Sequence, residues 1–273
     1  MRSEKPKLGQ NFLVSPAAQM QIVEALGDIA HATVIEIGPG KGAITTLLLP
    51  RAGRLLGFEL DPALAAAAQA RWATAANLTI VNASVLDADL ARLAWPASPG
   101  REAEKLVVVG NLPYYITSDI LLHLFAQAGA IDRAVVMVQE EVADRLAASP
   151  GTRAYGVLSA TAQLHATVEK LFTIPPEAFD PPPNVHSAVV RLTMQPRFEE
   201  LGVPREPFLR FTQRIFHQKR KTLANNLKAA GFAADAIQKA LADAQLAPTV
   251  RPEDVPLEQA AQIYKALTSS AKQ

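Results

Sequence analysis

Two short stretches of this chain hold residues whose types and spacing can do chemistry. The first is Glu36-Ile37-Gly38-Pro39-Gly40-Lys41-Gly42, and Glu59 follows nineteen residues after Gly40. Glycines closing a strand let the backbone approach a ligand, and a carboxylate at the end of the next strand can accept from two ribose hydroxyls. An adenosine-type ligand follows. The spacing Gly38, Gly40, Ala43 satisfies the permissive dinucleotide fingerprint. S-adenosylmethionine sites use the same opening, with an acidic residue two before the first glycine, where Glu36 stands. Lys41 is followed by Gly42 rather than Ser or Thr, which excludes a phosphate-binding P-loop.

The second stretch, Asn111-Leu112-Pro113-Tyr114-Tyr115, decides between nicotinamide and sulfonium. An exocyclic base amine is a poor nucleophile because its lone pair is delocalised into the ring. Acceptors aimed at its N–H groups, the Asn111 amide oxygen and a backbone carbonyl near Leu112 or Pro113, draw density back onto the nitrogen. Tyr114 offers a flat face for a flipped base, and Pro113 stiffens the loop that presents it. No strong base is needed, since the alkylated amine becomes acidic. No positioned His or Tyr-Lys pair supports hydride transfer instead.

These stretches need a scaffold that brings them together. Short β-rich runs at 33–37, 55–59, 78–82, 106–110 and 134–139 alternate with helical patterns at 43–49, 62–76 and 118–128. Such alternation predicts βαβ units and a mainly parallel α/β sheet covered on both faces. Two further runs, 168–174 and 188–193, flank the turn-rich FDPPPN and are expected to add an antiparallel pair at one sheet edge. Beyond Pro196 the patterns are helical only, at 208–217, 222–229, 234–242 and 257–267, so a domain of residues 1–196 is expected to precede a small all-helical domain of 197–273.

The chain has 273 residues, 49% hydrophobic and 19% charged, which excludes a mainly disordered state. No run approaches the length of a membrane span, and MRSEKPKLGQNFL lacks the apolar stretch of a signal peptide, so a soluble cytoplasmic protein is expected. Without cysteine, and with five scattered histidines, no metal site is expected. The net charge of +1 hides an asymmetry: residues 205–228 carry seven Lys or Arg against Glu206 alone. A basic segment on an otherwise acidic protein suits a polyanion, nucleic acid being the commonest.

The motifs KLGQNFL (7–13), EIGPGKGAIT (36–45), NLPYYIT (111–117), MVQEEVADRL (137–146), YGVLS (155–159), FDPPPNVHSAVV (179–190) and KRKTLANNL (219–227), in this order, closely resemble the ribosomal RNA adenine dimethyltransferase family, and within it the small-subunit (16S) members. The resemblance implies a Rossmann-like sheet that binds S-adenosylmethionine, with a helical C-terminal domain. It implies dimethylation of two neighbouring adenines in a hairpin loop near the 3′ end of 16S rRNA, by a monomer. Asn11, Leu13, Gly38, Glu59, Ser84 and Asn111 would then hold the cofactor. Asn111, Tyr114 and Phe179 would meet the target adenine, and Arg214, Lys219, Arg220 and Lys221 the RNA backbone. Two departures stand out: Ser84 where the family usually has Asp, with Asp87 the nearest substitute, and Asn184 where it usually has Lys. Two other readings share much of this pattern, an RNA-binding ribosome assembly factor and a large-subunit methyltransferase of the antibiotic-resistance type.

Overall fold

The computed structural model describes residues 11–94, 105–218 and 220–269. Nine strands and ten helices lie in these segments: β1 (Phe12–Leu13), α1 (Pro16–Glu24), β2 (Thr33–Ile37), α2 (Thr45–Leu48), β3 (Arg54–Phe58), α3 (Pro62–Arg71), β4 (Leu78–Val81), β5 (Leu106–Asn111), α4 (Thr117–Ala126), β6 (Ile131–Gln139), α5 (Glu140–Leu146), α6 (Val157–His165), β7 (Ala166–Ile174), β8 (Phe179–Asp180), β9 (Ser187–Met194), α7 (Arg205–Ile215), α8 (Leu223–Ala229), α9 (Ala234–Asp243) and α10 (Leu257–Ser269). Two compact units result. One runs to Ala143 and continues with Thr167–Met194; the other joins Asp144–Ala166 to the chain from Gln195 onward.

The first unit is a seven-stranded sheet in the order β4-β3-β2-β5-β6-β9-β7. The β2–β3, β3–β4, β2–β5 and β5–β6 pairs are parallel, whereas β9 runs antiparallel to β6. Every residue of β2 is buried, as are Leu106–Gly110 of β5, because helices cover both faces of a parallel sheet. From β2 the chain builds outward through β3 and β4, then returns to place β5 on the other side. That reversal opens a crevice at the carboxyl ends of β2 and β5, where ligands bind in open α/β sheets. Gly110 is required there: a Cβ at this position would lie 2.7 Å from the Ile37 carbonyl oxygen.

Local chemistry starts the helices where the site needs them. Asp61 caps α3 by accepting from Ala63 and Leu64 N–H, and Pro62 takes the first turn. Ser15 and Pro16 do the same for α1, which binary patterning overlooked. The helix expected over 43–49 contracts to Thr45–Leu48 because residues 39–44 are spent on the glycine turn.

Six of the seven strands expected from the sequence differ at one or both ends by one to three residues, only 33–37 matching at both, and β9 and β7 lie side by side at one edge of the sheet as expected. The second unit differs from the expected 197–273. It recruits 144–166, since Ala148, Tyr155, Ala160 and Leu164 belong to the same apolar core as Phe208, Ile215 and Leu223. Tyr155 packs edge-on against Phe216 with ring centroids 5.9 Å apart. In α7, Phe208, Phe211 and Ile215 face this core while Arg210 and Arg214 stay exposed, a helical period that also explains the basic segment's composition.

Candidate cofactor and methyl-acceptor site

A cavity of about 530 Å³ opens at the β2–β5 switch point. Its size suits a nucleoside-sized ligand. Asn11, Leu13, Gly38, Glu59, Ser84 and Asn111 all line it, so the structure brings every sequence-derived cofactor residue to one place. Ile37 pairs with Gly110, so the next residues, Gly38 and Asn111, stand side by side across the crevice. Gly38 and Gly40 have φ of +67° and +56°, the left-handed region in which glycine costs least.

Glu59, 7% exposed, is fixed from two directions: Oε2 accepts from Gly40 N–H and Oε1 from Asp61 N–H, each at 2.9 Å. A carboxylate has about four acceptor sites, so each oxygen keeps capacity for a ligand hydroxyl. The same bonds bear on the choice of cofactor. Gly38 N–H goes to the Phe58 carbonyl, Gly40 N–H to Glu59 and Gly42 N–H to the Pro39 carbonyl, so none of the three loop glycines offers its amide to a pyrophosphate. A nucleoside without a pyrophosphate needs none of these three amides.

Glu36 lies beneath the loop, 2% exposed, with Oε2 accepting from Thr45 Oγ1 at 2.7 Å. Burial pushes its carboxyl up to about 7, opposed by the Thr45 hydrogen bonds. The sequence pointed to Glu36 but gave no sign of Thr45 as its partner.

Ser84 caps the turn at 85–87 by accepting from Leu86 N–H. It lines the cavity, whereas Asp87 is exposed and outside it, so Ser84 rather than Asp87 is placed to meet a ligand. The N-terminal side is closed by β1, paired antiparallel to β8 with Leu13 opposite Phe179. Lys41 lies 4.4 Å from the Phe12 ring centroid and 3.7 Å from Asp180, tying the glycine loop to this ribbon. Lys7 to Gln10 of the first motif lie outside the described residues.

On the acceptor side, Asn111 Nδ2 donates to the Asn11 carbonyl at 3.0 Å. That bond takes one of the two Nδ2 hydrogens and orients the amide, with Oδ1 left as the acceptor. Pro113 cannot supply the second acceptor, because its carbonyl already takes Thr117 Oγ1 at 2.9 Å and Ile116 N–H at 3.2 Å. Of the two carbonyls the sequence left open, Leu112 is therefore the candidate. Tyr114 is half-buried, lines the cavity, and its hydroxyl lies 2.8 Å from Ser187 Oγ. Phe179 is not brought to this group. It is 3% exposed, does not line the cavity, and packs in the core behind Leu13. Tyr115, which sequence reasoning did not single out, is 54% exposed on the cavity lining.

In the second unit, Arg210, Arg214, Arg220, Lys221 and Lys228 are exposed, and none has an ion-pair partner among the described residues. Lys219 lies outside those residues. Arg205 departs from this set, with its guanidinium 5.9 Å from the Phe198 ring centroid. No cluster of metal-ligating side chains and no helix long and apolar enough to cross a membrane occurs among the described residues.

Comparison with known proteins bears directly on this site. The chain is 56% identical over 263 residues to ribosomal RNA small subunit methyltransferase A of Acidobacterium capsulatum, covering 96% of this chain and 91% of that protein. It is 52% identical over 271 residues to the protein of the same name from Koribacter versatilis, covering 97% and 95%. Its fold is shared with a dimethyladenosine transferase from Plasmodium falciparum (TM-score 0.76, 20% identity, 95% of this chain and 98% of that one). The 23S rRNA methyltransferase ErmE shares it as well (TM-score 0.71, 24% identity, 94% and 100%). The profile described as ribosomal RNA adenine dimethylase matches residues 1–269, and the chain belongs to that family of methyltransferases.

Proposed function

We propose that this enzyme uses S-adenosylmethionine to dimethylate the N6 amine of two adjacent adenosines in small-subunit (16S) rRNA, acting in the cytoplasm. The observation that carries this reading is the meeting, in one cavity, of Glu59 and the Asn111–Tyr114 loop across the β2–β5 switch point. S-adenosylmethionine, when bound, supplies an electrophilic methyl group. Glu59 and the Gly38 turn hold the nucleoside part of that ligand, with Asn11, Leu13 and Ser84 around it.

The protein's own contribution is alignment and electrostatics. Asn111 Oδ1 and the Leu112 carbonyl accept the two N–H groups of the adenine amine. They orient its nitrogen and stabilise the positive charge that develops as the new C–N bond forms. Tyr114 supplies a face for the flipped base. The surplus proton leaves the alkylated nitrogen without a strong base. A second transfer needs the S-adenosylhomocysteine left by the first to be exchanged for another S-adenosylmethionine, and the monomethylated amine to rotate and return its remaining N–H to one acceptor. The free cations Arg214, Arg220 and Lys221, with Lys219, are suited to phosphate contacts that position RNA without reading its sequence.

Relatives above 50% identity carry a small-subunit name, while the resemblance to ErmE is one of fold; this favours the small subunit over the large. The complete Asn111–Tyr114 acceptor loop favours retained chemistry over a purely structural role in assembly. The test is incubation of labelled S-adenosylmethionine with unmodified small subunits and, separately, large subunits, followed by nucleoside analysis. Labelled dimethyladenosine in small-subunit RNA is expected. Label confined to large-subunit RNA overturns the reading.

A further inference from the structure

Stacking against a base uses the face of Tyr114 and makes no use of its hydroxyl. That hydroxyl nevertheless lies 2.8 Å from Ser187 Oγ, seventy-three residues further along the chain. Ser187 has no exposed surface. It opens β9 opposite Gln139 of β6, and the preceding carbonyl, of His186, accepts from Glu140 N–H at 3.0 Å. A hydroxyl buried there costs free energy unless it is paired, so the Ser187 side chain holds to the Tyr114 hydroxyl as firmly as the reverse.

We propose that Ser187 is a positioning residue for methyl transfer, fixing the plane of the Tyr114 ring from the sheet. Torsion about an aromatic side chain's Cβ–Cγ bond is broad, so the loop alone leaves the ring free to rock. With the hydroxyl tied to β9, the ring is held at both ends. Its near end hangs from the loop that Thr117 Oγ1 and Ile116 N–H close on the Pro113 carbonyl. A base lying on that ring then keeps a fixed angle to Asn111 Oδ1 and the Leu112 carbonyl. Small misalignments of reacting groups are costly in rate. RNA affinity, carried chiefly by phosphate contacts, is insensitive to this bond. The inference rests on Tyr114 serving as the base platform.

The test is a double-mutant cycle in single-turnover methylation of unmodified small subunits, using S187A, Y114F and the pair. Y114F keeps the stacking face and, at a half-buried position, does not depend on refilling the core. Each single variant is expected to slow the chemical step by about threefold to tenfold, the effect of losing one hydrogen bond, with RNA affinity unchanged. The double variant should be no slower than either single one. Losses that multiply, an unchanged rate in either single variant, or a slowed rate fully matched by weaker RNA binding would overturn the role of Ser187 while leaving the assigned reaction standing. Absence of adenine methylation by the unaltered enzyme would overturn both.

Discussion

Asn111 and Asn11 are one hundred residues apart in sequence and joined by a 3.0 Å hydrogen bond from the Asn111 side-chain amide to the Asn11 carbonyl. The bond orients the Asn111 amide, because it turns the nitrogen toward the backbone with one of its two hydrogens and leaves the oxygen to accept. The segment preceding β1 thus sets the polarity of the group that β5 delivers.

From this arrangement, N111A should slow methyl transfer by on the order of a hundredfold to a thousandfold, the usual loss when one preorganised contact to a developing charge is removed. S-adenosylmethionine affinity, followed by calorimetry, should change little. Turnover within a factor of two of the unaltered enzyme would reject the role.

Glu59 gives a second expectation. An E59Q amide offers one oxygen and one NH2 group where two backbone N–H groups, of Gly40 and Asp61, now find acceptors. One donor must lose its partner, and the ribose hydroxyls lose an anionic acceptor. Calorimetry should register a loss of roughly 1.5 to 3 kcal/mol in S-adenosylmethionine binding. Unchanged affinity would contradict the cofactor assignment.

Ser84 and Asp87 can be separated by substitution. Ser84 is on the cavity lining and Asp87 is exposed outside it. Aspartate is also a good cap, so S84D keeps the bond to Leu86 N–H while adding a charged acceptor. S84D should tighten S-adenosylmethionine several-fold, about 1 kcal/mol, and D87A should leave binding as it was. The reverse pattern would move the adenine contact to Asp87.

Glu36 predicts a pH dependence. Its carboxyl is pushed up to about 7 in the folded protein from an ordinary 4.5, chiefly by burial. The folded state therefore holds this proton more tightly than the unfolded chain. The associated stability is fully present below about pH 4.5 and is lost as pH rises through about 7. The loss is on the order of 3 kcal/mol by linkage. Denaturation of the protein without S-adenosylmethionine at pH 5 and pH 8 should reveal it. E36Q, which can still accept from Thr45, should be more stable than the unaltered protein at the higher pH only. A variant and parent with equal stability at both values would sink the argument.

The alternation of strands and helices, the glycine turn after β2, the carboxylate at Glu59 and the acceptor loop at 111–114 are legible in the sequence, because these are short-range properties. Periodicity reports which residues face a core, and turn chemistry reports where glycine or proline must stand. The sequence could not decide matters that depend on segments far apart in the chain. The folded chain assigned 144–166 to the second unit, since Tyr155 and Leu164 carry no mark of which apolar core they enter. It placed Phe179 behind Leu13 rather than on the cavity, because a proline-rich run stiffens a loop without saying which way the preceding ring turns. It closed the Pro113 carbonyl with Thr117 and tied Tyr114 to Ser187, bonds set by how β5, α4 and β9 meet. Residue types set which chemistry was available; the packing of distant segments decided which atoms remained free to do it.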